Sequence, residues 1–333
     1  MGLSFRGSPI RESLLKARLA EMVKLSEKLR QPNYRIAVVS IFVGALLAYW
    51  KPYVLIEGIQ RAGLYAAIAL PMALLMGVVG IVNLAHGDFM MLGAYFAYWV
   101  SVYGGVDPLL AIVPALAFFF LFGCIVYLGP FKRILQAPEL NQILLAFGLM
   151  IVLVQSANLL WTSRFIKISL PYVSASTTVG SLTFGTFEFV YVVAAVTVLV
   201  GLQLFLKKTT WGQAALAVGQ NPRGAKVVGI DVDRTHLIIF SVSIAIIGAM
   251  GALFLARHSI SPFIGFPFTL RAFCLIAMAG IGNLTAILWV SLVLGLSENF
   301  VLSFFGYAGW ADLIYFVLII TVIMIKSRQR QVK

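Results

Sequence analysis

Charge is what this chain has least of. Only 11% of its 333 residues are charged, and 61% are hydrophobic; a soluble domain is about a quarter charged. Such a chain cannot hide its apolar surface in one soluble core, and it reads as an all-α polytopic membrane protein. Acid is scarcer than base, 12 Asp+Glu against 25 Lys+Arg, for a net charge of +13. That excess does not indicate a nucleic-acid partner. The basic residues sit in loops and tails between apolar runs, which is the positive-inside pattern, with some attraction to anionic lipid. Cysteine is almost missing: Cys124 and Cys274 lie inside apolar runs, with no CxxC, so there is no disulfide framework. The three histidines, His86, His236 and His258, are dispersed and no HExxH occurs, which leaves an intramembrane enzyme without a constellation. No Gly-Lys pair exists anywhere, so a phosphate-binding loop of the GxxxxGK(S/T) type is excluded. No cofactor is expected in this chain, and no cleavable signal peptide is visible ahead of the first apolar run near Ile36.

What is there is a succession of apolar runs. Residues 1–34 form a charged segment in which Leu15, Leu19, Met22 and Leu29 recur at helical spacing among Arg11, Lys16, Arg18, Lys24 and Lys28. This amphipathic helix is expected on the cytoplasmic side, against the membrane surface or a partner subunit. Residues 35–333 form the transmembrane domain. Ten apolar segments are expected, at 35–50, 56–82, 88–103, 108–131, 142–162, 187–206, 236–256, 268–282, 284–305 and 310–326. A full helical span takes about 20 residues, so the third and eighth are short. With ten crossings and both termini in the cytoplasm, the inner segments 1–35, 131–141, 207–235 and 326–333 hold 8, 2, 5 and 4 basic residues, 19 of the 25. The order of segment lengths repeats after five, which suggests an inverted 5+5 duplication; short segments in corresponding positions then mark the translocation path.

The densest polar chemistry in apolar sequence is Gly80-Ile81-Val82-Asn83-Leu84-Ala85-His86-Gly87-Asp88. Between Ala62 and Val106, His86 and Asp88 are the only acid, base or histidine. A buried polar group is costly unless paired, and inside a membrane such groups mark a pathway or a hinge. Asn83, His86 and Asp88 are therefore path or hinge candidates, with Asp88 suited to the positive end of the helix it opens. Asn283, Glu298 and Asn299 are candidates in the other half, and Arg271 is the expected partner of Glu298. Gly77, Gly80, Gly87 and Gly93 are expected to allow close helix packing. The longest inner loop, 207–235, offers a second feature. Asn221 is a cap with Pro222 at the first helical position, and Gly229 is a stop. The short helix between them would carry Arg223, Ala225, Lys226, Val227 and Val228, a suitable lever for a cytosolic motor.

These features together resemble one family. Gly80 to Asp88, followed by Met91-Leu92-Gly93-Ala94-Tyr95, is similar to the GxINFAHG(D/E)xxMxGAY signature of the permease subunit of branched-chain (hydrophobic) amino acid ABC transporters. The stretch from Gln213 to Arg234 resembles the RAxAQDxxxAxxxGINxDR stretch of that family. Further matches follow in order at Ile260–Phe266, Leu270–Phe273, Gly280–Asn283 and Leu294–Glu298. The resemblance covers about residues 55–326. It departs at Ala279, where the family has glycine, at Thr285, where proline is common, and in the added residues 1–52. The resemblance implies a permease subunit of a binding-protein-dependent importer in the bacterial inner membrane, not itself an enzyme. It further implies a second permease subunit (a paralogue or a copy of this chain), two cytosolic subunits that bind ATP, and a periplasmic or extracellular substrate-binding protein. Residues 221–229 would then be the contact with the ATPase. Branched-chain or hydrophobic amino acids are the expected substrates, with urea, amides or aromatic acids as the alternative within the family. The rival of another class is an ion-coupled secondary transporter, which would need intramembrane carboxylates. Asp88, Glu298 and Asp312 are the candidates, few and near span ends.

Overall fold

The structure, a computed structural model, describes residues 51–306 except 136 and 181, with a few isolated positions beyond. The expected amphipathic segment, the first apolar run and most of the last lie outside the described residues. Helix α1 spans Pro52–Val78 and α2 spans His86–Gly104. α3 runs from Ile112 to Val126 and on through a π turn, Tyr127–Phe131, to Ile134. α4 covers Glu139–Trp161. A loop with a small hairpin follows, β1 Ser176–Val179 antiparallel to β2 Leu182–Gly185. Then come α5 Phe189–Lys208, α6 Thr210–Gln220, α7 Pro222–Val227, α8 Val232–Arg257, α9 Gly265–Ala279 and α10 Leu284–Phe305. Among the described residues six helices are long and apolar enough to cross a membrane: α1, α3, α4, α5, α8 and α10. The chain is a mostly helical, multi-pass membrane protein; among the described residues the hairpin and an antiparallel bridge between Ile166 and Ile260 add to the all-α expectation.

Burial sorts the helices. α1 and α8 are the most covered helices, apolar and buried along most of their length, with Ala66, Ala67, Leu70, Ile244, Ile247 and Leu255 fully inside; a helix apolar nearly all round belongs at the centre of a bundle. α1 packs on α5, α8, α9 and α10, and α8 packs on α2 and α3. α3, α4 and α5 instead show outer faces of Leu121, Leu144, Phe147, Val152, Val193 and Val200. An apolar face this broad suits lipid or another membrane subunit rather than water.

The central crossings need glycine because the backbones touch. A Cβ on Gly93 would fall 2.0 Å from the Gly248 carbonyl oxygen, and one on Gly251 would fall 2.0 Å from that of Met90. Gly77 and Gly87 are close-approach positions as expected, against Gly282 and Gly265. Gly80 is not: nothing lies within 4 Å of its Cβ position, and its φ of +75° makes it the turn that releases the chain from α1.

The two helices expected to be short, α2 and α9, share a feature. α2 is preceded by a non-helical stretch through Gly80–Asn83, and α9 by one around His258–Ser261. α9, with 15 residues, crosses only part of the bundle as helix, whereas α2, expected to be short, has 19 residues and is close to a full span in length. The bundle has a hairpin end, where Gln60 Nε2 donates to the Gly185 carbonyl (2.7 Å), and a basic end, where Lys132 lies 3.9 Å from Asp233. α1 and α5 run from the hairpin end to the basic end, and α8 and α10 run back.

Candidate functional site

Three groups of polar residues stand out, stacked from the basic end to the hairpin end. At the basic end, Thr209 caps α6 by accepting from Gly212 N (2.9 Å) and Asn221 caps α7 by accepting from Gly224 N (3.0 Å). Gly229, with φ +87°, ends the second helix. The short helix was expected; the one before it, α6, was not. α6 lies across the end of α1, where a Cβ on Gly219 would meet the Gly77 carbonyl oxygen at 2.8 Å. Arg223, Lys226, Val227 and Val228 are exposed, the two valines at 87% and 76%, while Ala225 is 4% exposed and faces the bundle. The apolar contact surface anticipated on this helix is thus Val227 and Val228, without Ala225.

At the centre, the N-termini of α2 and α9 meet. The Gly87 N–H donates to Thr269 Oγ1 (2.8 Å), and a Cβ on Gly87 would fall 2.0 Å from the Gly265 carbonyl oxygen. Asn83 Oδ1 accepts from Ala85 N (3.1 Å), shaping the turn into α2. His86 is fully buried, and its Nε2 lies 3.0 Å from the Ile68 carbonyl. A carbonyl can only accept, so Nε2 carries the proton. Ile68 sits beside Pro71, which leaves a gap in the α1 hydrogen-bond ladder; Ser243 Oγ donates to the Pro71 carbonyl from α8. Asp88 is fully buried, and neither carboxylate oxygen has a hydrogen-bond partner among the described residues. Its Oδ1 packs on Gly265, 2.2 Å from where a Cβ would be. The carboxylate therefore lies at the positive ends of two helices at once, its own α2 and the facing α9, each of which favours negative charge. Asn83, His86 and Asp88 form one cluster, as their spacing in sequence suggested.

Toward the hairpin end lies a cavity of about 630 Å³ between α1, α5, α8, α9 and α10. Glu298 is its centre. It takes Tyr65 Oη at 2.5 Å, Arg61 Nη1 at 3.3 Å and Arg271 Nη2 at 3.6 Å. The Arg271 guanidinium also lies over Tyr65, 5.5 Å from the ring centroid. On the other wall, Arg257 Nε donates to Glu188 Oε1 at 2.6 Å. His258, just past the end of α8, has its Nδ1 3.1 Å from Tyr191 Oη and its ring stacked on Phe254. The cavity floor adjoins the central cluster, since Tyr65 is about one helical turn from Ile68 and Phe268 precedes Thr269.

The other expected residues divide. Asn299 is buried beside Glu298, its Nδ2 without a partner among the described residues. Asn283 is elsewhere: it caps α10 at the basic end, where its Oδ1 accepts from Ala286 N (3.2 Å). Arg61, Arg257, Glu188 and Tyr65 were missed. Their signal was present, because three arginines at the hairpin end (Arg61, Arg257 and Arg271) run against the basic bias toward the other end.

Comparison with known proteins places the chain among transport permeases. The family model for the permease component of branched-chain amino acid transport systems matches residues 54–323. The high-affinity branched-chain amino acid transport system permease protein LivH of Escherichia coli is 24% identical over 290 residues, 81% of this chain and 91% of that protein. The corresponding protein BraD of Pseudomonas aeruginosa is 25% identical over 285 residues, covering 82% and 92%. A probable LivH of Methanocaldococcus jannaschii is 26% identical over 280 residues, covering 82% and 89%. No solved structure matches the chain.

Proposed function

Because this chain belongs to the permease-component family of branched-chain amino acid transport systems, we propose that it forms the membrane path of an ATP-driven importer for branched-chain or other hydrophobic amino acids. The chain would bind no nucleotide of its own. Two cytosolic ATPase subunits would supply the energy, a second permease, copy or paralogue, would complete the pair, and an external binding protein would deliver substrate at the hairpin end. The basic end would then face the cytoplasm, with both termini there.

The observation that carries the mechanism is the chain of contacts from α7 to the centre. α7 packs on α6 and α8, and α6 sits on the basic end of α1 through Gly219 and Gly77. α1 passes Pro71 and offers Ile68 to His86. Force applied at Val227 and Val228 would reach the place where the N-termini of α2 and α9 meet. A hydrogen bond and backbone contact hold that junction, with no continuous helix across it, so it can part with less loss than a bundle of full spans. The opposite directions of α1 and α8, each followed by an extended stretch and then a helix that starts inside the bundle, support an inverted 5+5 repeat whose axis passes near Gly87 and Gly265. The division into residues 1–34 and 35–333, with ten spans, fits the same plan.

The test is reconstitution. Proteoliposomes holding the permease pair and the ATPases should take up leucine when ATP is inside and the binding protein outside. Uptake that persists without ATP, driven by an ion gradient, would replace this reading with secondary transport.

A further inference from the structure

α1 and α8 divide the bundle between them. α1 packs most extensively on α5 and α10, and α8 on α2 and α3. The cavity at the hairpin end lies on the boundary, with α1, α5 and α10 along one side and the end of α8 on the other. An apolar groove of about 460 Å³ runs between α5 and α8, lined by Val193, Thr197 and Gly201 of α5 and by Ile246, Ala249 and Met250 of α8. Polar contacts join the two helices at the hairpin end. Arg257 Nε, at the end of α8, donates to Oε1 of Glu188, the residue before α5, at 2.6 Å. Tyr191 Oη, in the first turn of α5, lies 3.1 Å from His258 Nδ1. The hairpin supports this junction. A Cβ on Gly185 would fall 2.2 Å from Glu188 Oε2, and the Gly185 carbonyl is held to α1 by Gln60.

We propose that Glu188–Arg257 and Tyr191–His258 form an outer clasp, which closes the hairpin end by holding the start of α5 to the end of α8 and releases when the path opens toward that side. The clasp rests on the transport reading and gives it an outer gate. The two ion-pair groups around the cavity differ in what parting them would cost. Glu298 is 9% exposed and receives Tyr65 and Arg61 of α1 and Arg271 of α9, so it joins three helices. Separating them would strand a buried charge, which is strongly unfavourable. Glu188 and Arg257 are 19% and 38% exposed, and both line the cavity. Their bond is short and charge-assisted, yet both heads can be hydrated where they stand, and an ion pair that water can replace is worth little net. The weaker seam therefore runs between α5 and α8, where the apolar groove already keeps the helices apart, and Glu298 keeps α1, α9 and α10 together when it opens. The clasp thus sits at one end of the bundle and α6 and α7 at the other, with the α2–α9 junction between them.

The experiment uses the assembled importer with Cys124 and Cys274 replaced. A cysteine at Leu64, on the cavity wall, is labelled in intact cells by an impermeant thiol reagent. Glu188→Gln should speed that labelling, and Arg257→Gln, from the other side of the clasp, should do the same. Exchanging the charges, Glu188→Arg with Arg257→Glu, should slow it again. In a second arm, Glu188→Cys and Arg257→Cys are joined by a short reducible bismaleimide. The bridge should abolish ATP-dependent leucine uptake, and reduction should restore it. The same reagent across Thr178→Cys and Thr183→Cys, which face each other within the hairpin, should leave uptake unchanged. If one of the single variants fails to assemble, labelling in the other decides. Labelling of the Leu64 cysteine at the unaltered rate in the assembled variants overturns the clasp, and so does full uptake through the bridged pair. Absence of ATP-dependent uptake before any bridge is made overturns the transport reading, and the labelling arm still decides whether the clasp closes the cavity.

Discussion

Replacing Val227 by glutamate is the sharpest test of how this chain meets its motor. Val227 is 87% exposed and Val228 76% exposed at the end of α7. Within the chain the change costs little, since a surface substitution away from caps and contacts stays within about 0.5 kcal/mol. If the two valines fill an apolar groove on the ATPase, each contributes about 1.5–3 kcal/mol there. Glutamate removes one of them and sets an unpaired charge in the groove. The combined loss is about 3 kcal/mol or more, more than about a hundredfold in ATPase affinity. Arg223→Glu and Lys226→Glu, at exposed positions, should cost only about 0–1 kcal/mol each. Ala225→Glu does not report on docking at all, because Ala225 is 4% exposed and turned into the bundle; that variant should fail in folding. The assay is retention of the ATPase by tagged permease across a salt series, after thermal melting has shown that the variant permease is intact. An apolar contact should lose retention at low and high salt alike. Retention of the ATPase at wild-type affinity by folded Val227→Glu would refute the assignment of α7 as the motor contact.

Asp88→Ala should lower expression or uptake while leaving the ranking of competing amino acids unchanged, as measured by competitive uptake; a changed ranking would make Asp88 a substrate contact. Gly93→Ala places a Cβ 2.0 Å from the Gly248 carbonyl oxygen and should destabilise the fold by about 1–3 kcal/mol or more. Gly129→Ala, with nothing within 4 Å, should melt like wild type. With Cys124 and Cys274 replaced, a cysteine at Thr178 in the hairpin should react with an impermeant thiol reagent in intact cells. A cysteine within 1–35 or after Lys326 should stay protected, and labelling there would reverse the orientation.

The apolar runs marked most helices to within a few residues, because a bundle in lipid is bounded by the polar residues at its ends: 284–305 was expected and Leu284–Phe305 is observed. The extended stretches before α2 and α9 were not legible. Ile81, Val82 and Leu84 are as apolar as a helix, and the expected segment ran through to 82, whereas α1 ends at Val78. What stops it is the positive φ at Gly80, a backbone property that composition does not carry. The polar cluster announced itself through Asn83, His86 and Asp88, but its counterpart could not be read. Gly87 finds Thr269, 182 residues away, and an ordinary Gly-Phe-Pro sequence opens the facing helix. In α7 the caps were legible and the facing of Ala225 was not, since six residues are too few for a period to phase.

Glu298 shows why charge in apolar sequence is the most informative signal of all. A carboxylate there must be paired, so a partner was demanded before any geometry, and Arg271 does lie 3.6 Å from it. The same demand, applied to every charge that opposed the basic bias, would have reached Arg61 and Arg257 as well. Both are among the basic residues outside the inner segments, and both line the cavity at the hairpin end. Orientation needs only a surplus of base on one side; it does not require arginines on the other. Three of them gather with three glutamates around one cavity at the hairpin end, a pattern that topology alone leaves unaccounted for.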